Sequence, residues 1–248
     1  MRALITGATS GIGKATAKRF AAEGIDLVLC GRRVAALEEL KMELSTRVNV
    51  YTLDFDVRSN EDVQRAISII PIELNQIDIL INNAGNAHGL DPIEDGNVED
   101  WDAMLDINVK GLLYVSKAII PQMITRKKGH IINIGSTAGK EVYPNGNVYC
   151  GSKYAVDAIT QGMRLDLNMH NIKVGAVNPG MVETNFSNIR FKGDEKRADT
   201  VYKGFDCLQP EDIADIIHFV VSRPYHVNIA DLMVLSTAQA SSTVVNKN

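Results

Sequence analysis

Cysteine is scarce in this chain. The 248 residues hold three, Cys30, Cys150 and Cys207, odd in number, far apart and without a C-x-x-C pair. That spacing argues against a disulfide framework, so a reducing, cytoplasmic setting is expected. Positive charge is short as well. Lys and Arg number 26 against 30 Asp and Glu, and a net charge of -4 speaks against a nucleic-acid partner and gives no reason to sit on an anionic membrane. No apolar run reaches the roughly 18 residues that would cross a bilayer. Residues 1–5 lead straight into a glycine-rich turn with no signal segment, so a soluble, intracellular protein is expected. The histidines, His88, His130, His170, His218 and His226, show no metal-ligand spacing, and no metal is expected. Linkers rich in proline or glycine and internal repeats are missing too, which leaves one domain over 1–248.

What is present alternates. Short apolar runs at 3–6, 25–30, 48–53, 77–81, 129–134, 172–177 and 232–235 read as strands, most of them apolar on successive residues, as strands covered on both faces are. Between them lie helical periodicities: 14–23 closed by Gly24, 34–44, a helix after the capping pair Ser59 and Asp62, a long one over 98–125, one over 149–170, and one opening at Pro210. Strand-helix alternation predicts an α/β fold with a doubly wound parallel sheet. Residues 183–206 look irregular and polar. By position they form a lid over the carboxyl ends of the strands, where such sheets bind ligands.

The first strand ends in Thr6-Gly7-Ala8-Thr9-Ser10-Gly11-Ile12-Gly13. Between a strand and a helix, one glycine makes the turn, another lets backbone approach a pyrophosphate and a third lets helix and strand pack, while helix N–H groups hold the phosphates. Gly7, Gly11 and Gly13 suit those tasks, and an ordinary glycine-rich turn is the plainer alternative. The second strand should carry a carboxylate at its end if the adenosine ribose bears free hydroxyls. It ends instead in Cys30-Gly31-Arg32-Arg33. Two guanidiniums suit a 2′-phosphate, which points to NADP, the alternative being a solvated helix start. Asp56 and Val57 after the third strand could bracket an adenine, with Asp54 as a competitor, and Asn83-Ala84-Gly85 could let backbone approach a ribose. Tyr149 and Lys153 share one helical face, an arrangement suited to proton transfer beside a hydride carrier.

Together, TGATSGIG, NNAG, Asn108 in INVKG, Ser136 after IINIGS, YCGSK and NPG resemble the classical short-chain dehydrogenase/reductase family in order and spacing along essentially the whole chain. The resemblance implies a Rossmann-type sheet of seven strands and hydride exchange between a carbonyl and an alcohol. It implies Tyr149 as general acid/base, Lys153 as its partner, Ser136 as the group positioning the carbonyl, and Asn108 as a structural and relay residue. The cofactor site it implies runs through Gly7, Thr9, Ser10, Gly11, Ile12, Gly13, Arg32, Arg33, Asp56, Val57, Asn83, Ala84, Gly85, Tyr149, Lys153, Pro179, Gly180, Val182 and Thr184. A homotetramer is the implied assembly. Free tyrosine titrates near 10, and an ammonium plus the oxidised nicotinamide are expected to pull Tyr149 down.

ETNFSNIRFKGD at 183–194, with GHIINIGSTAG and GNVY, resembles the NADP-dependent 3-hydroxy acid dehydrogenases, which oxidise serine or L-allo-threonine and reduce malonic semialdehyde. Such acids call for a cation in the site. Arg190 and Lys192 are the candidates, with Arg190 expected on the carboxylate together with Ser136 and Tyr149 on the reacting oxygen. The competing readings are a 3-oxoacyl carrier-protein reductase, or another carbonyl reductase, and a non-catalytic NADP-binding sensor.

Overall fold

The apolar strand runs are buried because helices cover both faces of the sheet. The computed structural model describes all residues, 1–248. Strands β1 (Arg2–Thr6), β2 (Asp26–Gly31), β3 (Val50–Asp54), β4 (Ile79–Asn82), β5 (Gly129–Ile134), β6 (Ile172–Pro179) and β7 (Asp231–Val234) form one sheet in the order β3-β2-β1-β4-β5-β6-β7. Every neighbouring pair is parallel. The helices are α1 (Gly11–Ala22), α2 (Val34–Leu44), α3 (Asn60–Ser68), α4 (Val98–Leu105), α5 (Leu112–Arg126), α6 (Asn147–Leu167), α7 (Phe186–Arg190), α8 (Glu195–Tyr202) and α9 (Pro210–Val221).

Strand side chains alternate between faces. Ala3, Ile5, Leu27, Leu29, Ile79 and Ile81 pack with Phe20 of α1, Leu37 of α2 and Ile213 and Ile217 of α9. Leu4, Val28, Leu80, Ile131 and Val174 face the other way, onto Val63 of α3 and Val115, Ile119 and Met123 of α5. A polar thread crosses that second layer. Asn82 donates to Ser116 Oγ and Asn133 Oδ1 (2.9 Å each), and Asn133 donates to Thr160 Oγ1 (2.8 Å), tying β4 and β5 to α5 and α6.

Three expectations need correction. The helix over 98–125 is interrupted: Asp106–Gly111 takes wider π-type turns between α4 and α5. Asn108 sits in that bulge, its side chain accepting from Asn86 N–H (2.8 Å) and donating to Asn86 C=O (2.8 Å) and Ser152 Oγ (3.0 Å). Such bulges are common at functional sites, and apolar periodicity does not reveal one. Segment 183–206 is not irregular but carries α7 and α8. The first is five residues, too short to show a period. The second buries only Ala198 and depends on Asp194, whose side chain accepts from Arg197 N–H at 3.0 Å. The third and fourth strands start at Val50 and Ile79, each two residues later than its apolar run suggests.

The sheet order reverses direction between β1 and β4, and ligands bind in such sheets at the strand ends beside that switch point.

Candidate active site

The turn after β1 is shaped by glycine. Gly7 and Gly11 take φ of +64° and +50°, and a Cβ on Gly7 would lie 2.9 Å from Asn83 Nδ2. Thr6 fastens the neighbouring loop: its Oγ1 accepts from the backbone N–H groups of Asn83 (3.0 Å) and Ala84 (2.9 Å), while Asn83 Nδ2 donates to Thr6 C=O (2.8 Å). The loops after β1 and β4 are therefore one rigid floor.

Above that floor lies a cleft of about 780 Å³. At one end stand Arg32, Arg33, Asp56 and Val57; Gly7, Thr9, Ser10, Gly11 and Ile12 line the middle with Asn83, Ala84 and Gly85; Ser136, Tyr149, Lys153, Pro179, Val182 and Thr184 line the other end. Asp54, the competitor of Asp56, is exposed outside the lining. Three expected residues stand behind the wall. Gly13 packs α1 onto the turn, where a Cβ would meet Gly7 O at 2.5 Å. Gly180 packs on Gln239, and Asn108 reaches the site through Asn86. An elongated cleft with a phosphate-sized turn in its middle and paired guanidiniums at one end fits NADP in size and chemistry. Arg33 donates to Thr9 Oγ1 from Nη2 (2.8 Å) and Nε (3.2 Å), which ties the arginine pair to the turn.

Tyr149 and Lys153 are each 8% exposed, on the inner face of α6. Lys153 Nζ donates to Ile134 C=O (3.0 Å), and burial lowers its ammonium to about 8. The Ser136 hydroxyl accepts from Ala138 N–H (3.1 Å), which fixes the turn that presents it. The phenol of Tyr149 is pushed up, not down: burial is the larger cause and Tyr143 adds to it, against lowering by Arg190 and the Ser136 hydroxyl. Within the protein alone, desolvation outweighs the cationic pull expected from the sequence.

The acid candidates separate cleanly. Lys192 is neutralised by Asp100 at 2.9 Å. Arg190 has no carboxylate within ion-pair distance. Its guanidinium carbon lies 5.0 Å from the Tyr149 ring centre and 5.7 Å from those of Tyr143 and Phe186. Nη2 donates to Tyr143 Oη (2.6 Å), while Nε is buried without a partner. A small hollow of about 20 Å³ lies among His88, Asp100, Trp101, Asn147, Tyr149 and Arg190. It has room for about one water-sized group beside Tyr149. Burial, with Lys192 and Arg32 contributing against Asp100, keeps His88 below the usual imidazole range.

Tyr143, His88 and Arg58 were not expected here. Tyr143 arrives on a loop with no local pattern, and His88 as a lone histidine reads as surface. Arg58 offered one signal, its place two residues after Asp56, from which an arginine can bond back. No cluster of three His, Cys, Asp or Glu residues could hold a metal ion, and no helix is long and apolar enough to cross a membrane.

A family model described as short chain dehydrogenase matches residues 1–195. The chain is 42% identical over 241 residues to an NADP-dependent 3-hydroxy acid dehydrogenase of Escherichia coli strain K12, covering 97% of this chain and 96% of that one. It is 43% identical over 240 residues to sulfoacetaldehyde reductase 2 of Chromohalobacter salexigens, covering 96% and 95%. Among solved structures, the closed form of a serine dehydrogenase complexed with NADP+ superposes with a TM-score of 0.94 at 41% identity, covering 98% of this chain and 97% of that one.

Proposed function

The chain belongs to the short chain dehydrogenase family, and on that footing we propose that it exchanges hydride between NADP(H) and a short 3-hydroxy or 3-oxo acid of the serine, L-allo-threonine and malonic semialdehyde class. The observation that carries the substrate class is Arg190, unpaired by any acid and laid against the Tyr149 ring.

When bound, NADPH supplies a hydride from nicotinamide C4. Arg32 and Arg33 would hold the 2′-phosphate, the turn from Gly7 to Gly13 the pyrophosphate, and Asp56 and Val57 the adenine. Asn83, Ala84, Gly85 and Lys153 would hold the ribose, and Pro179, Val182 and Thr184 the nicotinamide, with Gly180 packed behind them on Gln239. Ser136 would donate a hydrogen bond from its hydroxyl to the substrate oxygen and stabilise the charge growing there, keeping its own proton. Tyr149, kept protonated by burial, gives its proton to that oxygen in reduction and takes it back in oxidation. Lys153 is mostly charged at neutral pH even with its ammonium lowered to about 8, so it offers the phenolate a cation. Asn108, held by Asn86 and Ser152, braces Tyr149 from behind, since Ser152 Oγ donates to Tyr149 C=O at 2.7 Å.

Residues 183–206, with α7 and α8, act as the lid that brings Arg190 over the substrate. A cytoplasmic homotetramer is the proposed form; the exposed apolar side chains Leu113 of α5 and Tyr154 of α6 support pairing of those helices between subunits. The test of function is NADPH oxidation with malonic semialdehyde and NADP reduction with L-serine, against an acetoacetyl thioester. Turnover of the thioester alone would support the carrier-protein reductase, and NADPH binding without any turnover a sensor. Because one relative is named a sulfoacetaldehyde reductase, sulfoacetaldehyde belongs in the same panel as a second anion that Arg190 could hold.

A further inference from the structure

The adenosine end of the cleft holds a carboxylate where a phosphate is to bind. Asp56 lines it together with Arg32, Arg33 and Arg58. An uncompensated carboxylate there would repel the 2′-phosphate and compete for the guanidiniums meant to hold it. The competition is settled by Arg58. Its Nε and Nη2 donate to Asp56 Oδ2 at 3.0 and 2.6 Å, and its backbone N–H donates to Oδ1 at 3.0 Å. Arg32 reaches the same Oδ2 only at 3.5 Å, the outer limit of a hydrogen bond, and its side chain is 60% exposed. Arg33 touches no carboxylate, since its donors meet Thr9. The nearby Asp106 is itself taken up by Lys110 at 2.7 Å.

Resting on the NADP reading, we propose that Arg58 is a positioning residue for cofactor selectivity: it occupies Asp56 and so leaves Arg32 and Arg33 to the 2′-phosphate. Without Arg58, Asp56 turns to Arg32, the next cation it already touches. One phosphate ligand is then consumed, and the net charge around the phosphate falls from two positive charges to one. Both changes act on the 2′-phosphate, whereas any effect of moving Asp56 from the adenine is common to both nucleotides and cancels in their ratio.

The test is equilibrium titration of NADPH and NADH by fluorescence, without substrate, on the wild-type chain, Arg58→Ala and the double variant Arg58→Ala/Asp56→Asn. Arg58→Ala should weaken NADPH about five- to thirtyfold, which is one charge-assisted bond discounted for the solvent exposure of Arg32, and NADH less than about twofold. Adding Asp56→Asn removes the competing charge and should return the NADPH-to-NADH preference to within about threefold of wild type. A structural role for Arg58 would weaken both nucleotides together and show no rescue, and either result overturns the inference. Wild-type protein without a preference for NADPH would overturn the NADP reading and this inference with it. A preserved preference in Arg58→Ala would overturn the inference alone.

Discussion

Replacing Arg190 with methionine tests the substrate class most directly. Methionine keeps much of the stem packed against Phe186 and Tyr149 but removes the charge and the donors. In the folded chain Arg190 spends one Nη2 donor on Tyr143 and has no carboxylate partner, so most of its guanidinium is free for an acid. A hydrogen bond to a charged group contributes about 1.5–3 kcal/mol, which is roughly 10- to 150-fold in binding. Arg190 is only half-buried, so solvent screening puts the expectation at the lower part of that range, about 10- to 50-fold. The loss should fall on KM for L-serine and malonic semialdehyde, with kcat changed less than about threefold, because the acid lies away from the reacting carbon. Propanal, which has the reacting carbonyl and no acid, supplies the control and should lose little. Steady-state kinetics with NADPH at fixed ionic strength separates the cases. An unchanged KM for both acids, or an equal loss on propanal, would refute the assignment of Arg190 to the carboxylate.

Tyr149→Phe should cut kcat by about 10²- to 10⁴-fold while leaving NADPH affinity within about twofold, measured by turnover and fluorescence titration; retained turnover would remove Tyr149 from proton transfer. Gly7→Ala places a side chain at φ +64° with its Cβ 2.9 Å from Asn83 Nδ2. It should lower the melting temperature by roughly 2–8 °C and weaken NADPH binding, because the left-handed conformation alone costs about 1–2 kcal/mol; an unaltered melt and affinity would contradict the strained-turn account. His130, buried beside Lys173, is held neutral down to about 3, chiefly by burial. The unfolded chain binds this proton below its ordinary value near 6.5 and the native chain does not, so stability should fall as pH drops from about 6.5 toward 3. The slope is at most about 1.4 kcal/mol per pH unit, and urea melts of His130→Leu between pH 4 and 7 should show a flatter dependence than wild type.

Much of the fold was legible because its signals are local. A strand buried on both faces must be apolar at successive positions, as Leu27, Val28 and Leu29 are. Ser59 must cap α3 from a fixed offset, and its oxygen does accept from Asp62 N–H at 3.1 Å. The lid helices were missed because short or polar helices leave little periodicity. The bulge at Asn108 was missed because its cause, the backbone of Asn86, is 22 residues away.

Residue type and order by themselves determined the sheet, the cofactor turn, the paired arginines in place of an acid, and the Tyr149-Lys153 pair, since each needs particular residues at particular spacings. Tertiary structure decided the rest. It gave Asp100 to Lys192 and left Arg190 without an acid, lined the cleft with Asp56 and not Asp54, and brought Arg58 onto Asp56. It also set burial against the cationic pull on the Tyr149 phenol, because burial depends on every element packed around the ring and no short stretch of sequence records it.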